Sequence, residues 1–462
     1  MDPINTLIDY GLKLSYDMLP QHVVETVKGR VIDTLAAVIA GSSAQESRKL
    51  LNVITSWGGK EESTILVHGN RVPAPQAAFC NCTMARVWEL DDVHEFAGTH
   101  ASASIVPAAF ALAEYSKVSK GKMIDGKTFI VAIALGADTN YRVRMAGRED
   151  GPEMGWVGEA YAPLAVAMMG TRMFGLSQTT TANALGIGYA QCAGNAQANV
   201  DGAFTVALQQ GFGAKAGVLA VVLADEGLTG AKDILLGKYG LYPLYLRGNF
   251  HPDILTGGLG TQFEITNATT KFYPCCQGNH AAIYGAGQLA EEHAVNPDEI
   301  DEVTIRTNTF FATILGTPDK VRPQTIHDAQ FSYYYTVASM LVKKRVGLEE
   351  FTEDAITDPR VLKVAERVKV FADEEKDKMR QLIPPMDVEI VMKDGTRYRK
   401  TVPFVKGHPN NRATWEDYMR KFDSCVRFSA KPLSQRAVDE VKQMIQGLDT
   451  MDDVTRIVSN LS

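Results

Sequence analysis

From residue 1 to about 265 the chain repeats one pattern: apolar residues return at three- and four-residue spacing, and the stretches that carry them are rich in Ala and Gly. Val24, Val27, Val31, Ile32, Leu35 and Val38 follow this spacing and run to Gly41, which suits a helix stopped by a left-handed cap. Residues 81–90, 104–115, 128–141, 161–174, 179–190 and 213–224 read the same way. Small residues let helix axes approach closely, and helices that are apolar on most sides must be buried by other helices. The pattern predicts a compact, all-helical domain.

The register changes after Gly257. The Gly-rich stretch 257–262 and the polar stretch 266–270 look like a crossing between domains. Beyond it Val303, Ile305 and Thr307 alternate as a strand, and Val388, Ile390, Met392, then Asp394-Gly395, then Thr396, Tyr398 and Lys400 signal a hairpin with a two-residue turn. Helical patterns at 328–343 and 361–371 lie between these strands. Residues 407–411 form a second polar crossing, and 415–422 and 434–446 return to helix. The expected fold is therefore mostly α. It has an all-helical domain of residues 1–266 and 408–462, with a smaller α+β domain of residues 267–407 inserted between the chain ends.

With 45% hydrophobic and 22% charged residues among 462, the chain has the composition of a soluble globular protein, long enough for at least two folding units. The net charge of −7 is modest, and Lys and Arg are scattered rather than gathered into a stripe, so no nucleic-acid partner is expected. The first residues carry acidic groups and no basic region followed by an apolar run, which is not the pattern of a signal peptide. The longest greasy stretches, such as 218–224, fall short of the roughly 18–20 residues of a membrane span. The expectation is a cytoplasmic protein with no membrane role. Cys80, Cys82, Cys192, Cys275, Cys276 and Cys425 form no spaced pairs of metal-ligand type, so reduced, mostly buried thiols and no metal are expected.

Chemistry concentrates in two places. Residues 88–104, WELDDVHEFAGTHASAS, crowd carboxylates and two imidazoles against the apolar run 105–115. A loop walled by core can tune a histidine or carboxylate for proton transfer. Asp91 and Asp92 also suit a simpler part, capping a helix end or binding loop N–H groups. The second place is KFYPCCQGNH, residues 271–280, where a helix is expected just after Pro274. A lysine beside a helix N-terminus suits a carboxylate anchor. If the two places face each other across the domain boundary, they form a cleft in which a histidine or lysine can take a proton alpha to a carboxylate. Elimination from the resulting carbanion gives a dehydratase, and reprotonation on the other face an epimerase. Neither route obliges a metal or organic cofactor, and none is expected. The Gly-rich stretch 211–217 lacks the strand and the Lys-Ser/Thr of a phosphate loop and reads as close helix packing.

DTLAAVIAG (33–41), ELDDVHEFAGTHASAS, KFYPCCQGNHAA and DAQFSYYYTVA (328–338) occur in this order along nearly the whole chain. Together they resemble the MmgE/PrpD family, which includes dehydratases, decarboxylases and epimerases of small carboxylic acids. The resemblance implies a large helical domain built from both chain ends, a smaller α+β lid and a homodimer. The family's acidic-loop pattern falls on Asp91, Asp92, Thr99 and His100, with Ala101 where a proline is usual; its lysine falls on Lys271 and a downstream histidine on His280. Decarboxylase-like members carry basic residues where this chain has Val157, Val206 and Cys276. These departures imply a less cationic pocket and a substrate with fewer carboxylates, for which Tyr161, Gln209, and Arg142 or Arg144 are replacement binding residues, with Thr99 and Cys276 as further substrate-binding candidates. The leading expectation is a cofactor-independent, dehydratase-type lyase acting on a small hydroxy-carboxylic acid. His100 or Lys271 is the base, Asp91 or Asp92 orients it, and His280 binds or protonates the leaving group. The rivals are an epimerase or racemase of a small di-acid and a ligand-binding member that has lost the chemistry.

Overall fold

The computed structural model describes residues 2–147, 155–379 and 383–462, and it is mostly helical. The chain divides into two compact units, Met1–Val87 with Asp91–Ala268 and Thr414–Ser462, and Trp88–Leu90 with Thr269–Ala413.

In the first unit, helix Gln21–Gly41 packs against helices Ala74–Arg86, Ala101–Lys120 and Trp415–Val426. From Val27 to Gly41 every residue is buried, including Lys28, Arg30 and Asp33. Each fully buried Val, Leu or Ile here contributes roughly 1.5–3 kcal/mol relative to exposure. The buried charges need partners: Lys421 Nζ donates to Asp33 Oδ1 at 2.6 Å, tying a helix near the end of the chain to one near its start. Gly41 corrects the expected left-handed cap. It lies within the helix, and a Cβ there would sit 1.9 Å from the Met84 carbonyl oxygen, so the glycine serves close approach of two helices. The stretch read as helix at 81–90 ends at Arg86.

Helix Thr205–Asp225 packs against Ala74–Arg86, Ala162–Phe174 and Gln178–Tyr189. By length and composition it is apolar enough to cross a membrane, which corrects the expectation drawn from 218–224 alone. Most of it is buried among the neighbouring helices, and at Gly211 a Cβ would meet the Thr83 hydroxyl at 2.3 Å.

The second unit holds a four-stranded sheet in the order Val368–Ala372, Ile300–Thr307, Met386–Met392, Arg397–Val402; the first pair is parallel and the others antiparallel. Helix Gln277–Glu292 packs on the last two strands, and helix Tyr333–Lys343 packs on Gln277–Glu292. The hairpin forms with Val388 opposite Lys400 and Ile390 opposite Tyr398, but its turn has three residues, because Met392 N–H donates to the Thr396 carbonyl and Gly395 takes φ +87°. The helix read at 361–371 is instead Pro359–Ala365 followed by the parallel strand Val368–Ala372. The pattern at 328–343 splits into Ile326–Gln330 and Tyr333–Lys343, the second capped by the Ser332 hydroxyl accepting from Tyr335 N–H.

Asp358 caps helix Pro359–Ala365, accepting from Arg360 N–H at 2.9 Å, and pairs with Lys343. Lys343 holds its carboxyl down at about 2, against the opposing effect of burial. A depressed carboxyl contributes stability that is present above its unfolded value near 4 and lost as pH falls through about 2. Asp358→Asn is expected to lower stability by about 1 kcal/mol at pH 7, with the gap to wild type closing below pH 4. Urea unfolding followed by circular dichroism at several pH values measures this, and a gap that stays constant down to pH 2.5 contradicts it.

Candidate active site

Past helix Ala74–Arg86 the chain enters the acidic loop, where Asp91 and Asp92 are fully buried. The loop folds back through a bridge between His94 and Thr99, with Gly98 at φ +60°. It then delivers His100 to the N-cap position of helix Ala101–Lys120. There His100 Nδ1 lies 3.0 Å from Asp91 Oδ2, and its imidazole is the more open member of the pair. The backbone is pinned as well: Gln210 Nε2 donates to the His100 carbonyl at 2.9 Å and to Ser104 Oγ at 2.6 Å.

The adjacent carboxylates have different surroundings. Arg86 lies 3.7 Å behind Asp91 Oδ1 and 3.8 Å from Glu159 on its other side. Asp92 accepts from Ser102 Oγ at 2.7 Å and lies 3.3 Å from Arg30 Nε, while Arg30 also donates to the Ala268 carbonyl. Asp92 thus fastens the loop, and Asp91 addresses the imidazole. His94 is committed elsewhere. Its Nδ1 accepts from Ala97 N–H at 3.1 Å, so its Nε2, 3.3 Å from Glu264, carries the proton. Burial alone would raise the Glu264 carboxyl, but hydrogen bonds from His94 and Asn267 bring it below its usual value.

Around this pair, Thr99 Oγ1 is 3.2 Å from Asn140 Oδ1, and Gly158 packs so closely that a Cβ would fall 2.2 Å from the Thr99 Cβ. Tyr161 is buried and touches Arg144. Burial raises the Tyr161 phenol, Arg144 only partly offsets this, and the hydroxyl keeps its proton at neutral pH. Gln209, on helix Thr205–Asp225, is already engaged, its Oε1 accepting from Asn195 N–H at 2.7 Å. Arg142 is satisfied internally by Asp138 at 2.6 Å and by the carbonyls of Gly257 at 2.6 Å and Gln262 at 2.8 Å.

In the second unit Lys271 is buried, and its Nζ donates to Glu89 Oε2 at 2.9 Å. Glu89 reaches it from a left-handed backbone conformation, φ +51°. The ammonium that sequence reading offered as a carboxylate anchor already faces a carboxylate. Helix Gln277–Glu292 begins at Gln277, with Cys276 half-buried at its N-cap position and His280 buried one turn in, edge-on to Tyr273 at 5.1 Å. Gln330 and Asn279 bind this entrance together, since the Gln330 carbonyl accepts from Cys276 N–H and Asn279 Nδ2. Burial pushes the Cys275 thiol well above its usual value, which leaves it protonated and unsuited to nucleophilic attack.

Sequence reading did not single out Arg30, Arg86, Ser102, Glu159 and Glu89. A signal was present for Arg30: it stands between Val27 and Val31 in a stretch whose apolar spacing predicts a buried helix, where a charge needs a partner. Among the described residues no cluster of three or more His, Cys, Asp or Glu side chains has the arrangement of a metal site. Chemically, a buried carboxylate 3.0 Å from Nδ1 of a partly exposed histidine favours the tautomer with its proton on Nδ1, which leaves Nε2 as a proton acceptor.

Two family models match the chain, the MmgE/PrpD N-terminal domain over residues 5–253 and the MmgE/PrpD C-terminal domain over residues 273–450. The chain belongs to the MmgE/PrpD family. It is 26% identical to the cis-aconitate decarboxylase of Aspergillus terreus over 98% of this chain and 94% of the relative. It is 25% identical to the cis-aconitate decarboxylase-like protein oryM of Aspergillus oryzae over 99% and 96%. The Homo sapiens cis-aconitate decarboxylase is 24% identical over 98% and 92%.

Proposed function

We propose that this protein is a lyase of small carboxylic acids in which His100 Nε2 removes a proton alpha to a carboxylate and Asp91 holds the imidazole in the required tautomer. The observation that carries the reading is the 3.0 Å pairing of a half-open histidine with a fully buried aspartate. The imidazolium so formed returns its proton to the departing hydroxyl, so that water leaves and a carbon–carbon double bond forms in a dehydratase-type elimination of a small hydroxy acid. A second reading, decarboxylation, is favoured by the names of relatives that align over nearly the whole chain. In it the same imidazole, once protonated, delivers its proton to the carbon that has lost carbon dioxide.

The test is proton NMR of the purified protein in deuterated buffer with a panel of small hydroxy, unsaturated and amino acids bearing one to three carboxylates. A new olefin signal supports the dehydratase. Loss of a carboxylate with deuterium at the neighbouring carbon selects the decarboxylase. Alpha-proton exchange with neither change selects the epimerase, and silence across the panel counts against the lyase.

A further inference from the structure

Helix Gly126–Met145 presents two buried guanidiniums two residues apart, and they differ in one respect. Arg142 has Asp138 as counterion and short bonds to two carbonyls. Arg144 is 3% exposed, and no carboxylate of the described residues lies within ion-pair distance of it. Its contacts are all neutral and long: Nε to the Ala97 carbonyl at 3.3 Å, one terminal nitrogen to the Tyr161 hydroxyl at 3.5 Å, the other to the Trp156 carbonyl at 3.4 Å. The guanidinium carbon also stands 5.5 Å from the Tyr161 ring centroid. A desolvated cation bound this loosely is under-compensated, and an anion is the partner that its forked donors fit best.

The location gives the anion a role. Ala97 is three residues from His100, a span of at most about 10–11 Å of extended chain. Tyr161 closes the short helix Gly158–Tyr161, whose first residue packs against Thr99. Arg144, on helix Gly126–Met145, therefore touches the same loop that carries the His100–Asp91 pair, three residues before His100. The Tyr161 hydroxyl, which accepts from Arg144, keeps a proton to donate.

We infer that Arg144, with the Tyr161 hydroxyl, binds a carboxylate of the substrate, so that the ligand class is a compact acid held by one carboxylate in the first unit while His100 acts on the carbon next to it. The placement of the reacting carbon rests on the reading of His100 as the base; the carboxylate site itself does not.

Binding without turnover separates the two ideas. Succinate is titrated into the full-length protein by calorimetry, and unfolding temperature is followed with and without succinate against sodium chloride of equal ionic strength. Wild type and His100→Asn are expected to bind and to gain unfolding temperature. Arg144→Gln is expected to bind roughly 10- to 100-fold more weakly, the loss of a charge-assisted pair, and to lose the gain. Arg144→Lys, which keeps the charge without the fork, should recover part of it, and this guards against a merely misfolded variant. Equal succinate affinity in wild type and Arg144→Gln overturns the inference. So does the absence of binding by wild type, the result expected if an acidic side chain of the chain already occupies the guanidinium. If His100→Asn binds succinate but retains turnover, the proposed base is wrong and the carboxylate site stands.

Discussion

His100→Asn is expected to lower kcat/KM by about 10²- to 10⁴-fold, the usual contribution of a positioned general base, while leaving the urea unfolding midpoint unchanged. Asparagine keeps an N–H to present to the buried Asp91 carboxylate, so the substitution strands no charge. Asp91→Asn is expected to lose a similar factor for another reason. A carboxamide can present its N–H₂ to Nδ1, which makes Nδ1 the acceptor and puts the ring proton on Nε2, where a base is needed. The two losses should not multiply in the double variant, because the residues act as one unit. Asp92→Asn, which disturbs the contacts of Asp92 with Ser102 and Arg30 instead, should lower the unfolding midpoint as well as the rate. Steady-state kinetics and urea unfolding on the four variants decide the assignment; a His100→Asn enzyme with wild-type kcat/KM removes His100 from the mechanism.

The largest effect on stability is expected at Lys421. Its pair with Asp33 is almost completely buried, and cutting one side of such a pair strands the other charge, for a loss of about 3–5 kcal/mol. Burial already pushes the Asp33 carboxyl up to about 6, although Lys421 and Arg30 pull it down. A raised carboxyl contributes stability that is present at pH values below its unfolded value near 4 and is lost as pH rises through the folded value. Lys421→Met raises that folded value further, so the variant falls behind wild type increasingly between pH 5 and 8. The double variant Asp33→Asn with Lys421→Met leaves no charge stranded and should recover most of the loss. Urea midpoints of wild type and the two variants at pH 5 and pH 8 test this, and a double variant no more stable than Lys421→Met contradicts it.

The helices of the first unit were legible where local chemistry and packing agree. Residues 128–141 mark the core of Gly126–Met145, and Asp125, accepting from Thr128 N–H, fixes its start. The pattern misled where a partner distant in sequence decides. Val368–Ala372 reads as the continuation of a helix, yet it is a strand because Ile300–Thr307 supplies its hydrogen bonds. Gly41 looks like a terminus in sequence and proves to be a point of contact, since only the position of Met84 gives its missing Cβ a meaning. At the candidate site the conspicuous letters were readable and their supports were not. Asp91, Asp92 and His100 stand in one short loop, whereas Arg30 and Gln210 come from helices distant in sequence, and nothing in their local pattern says which loop they reach. Arg142 and Arg144 were indistinguishable in sequence, and Asp138 separates them.

The helical unit is assembled from both ends of the chain, and this has a consequence in time. Trp415–Val426, the helix that carries Lys421, leaves the ribosome only after Thr269–Ala413, an insert of roughly 145 residues, which at ordinary synthesis rates takes about 7–30 s. Throughout that interval the face of Gln21–Gly41 that Trp415–Val426 will cover is apolar, carries the unneutralised Asp33, and is open to other proteins. The nascent chain therefore passes through a window in which chaperones have a defined surface to shield, and a stop codon anywhere before residue 415 would leave that surface permanently exposed.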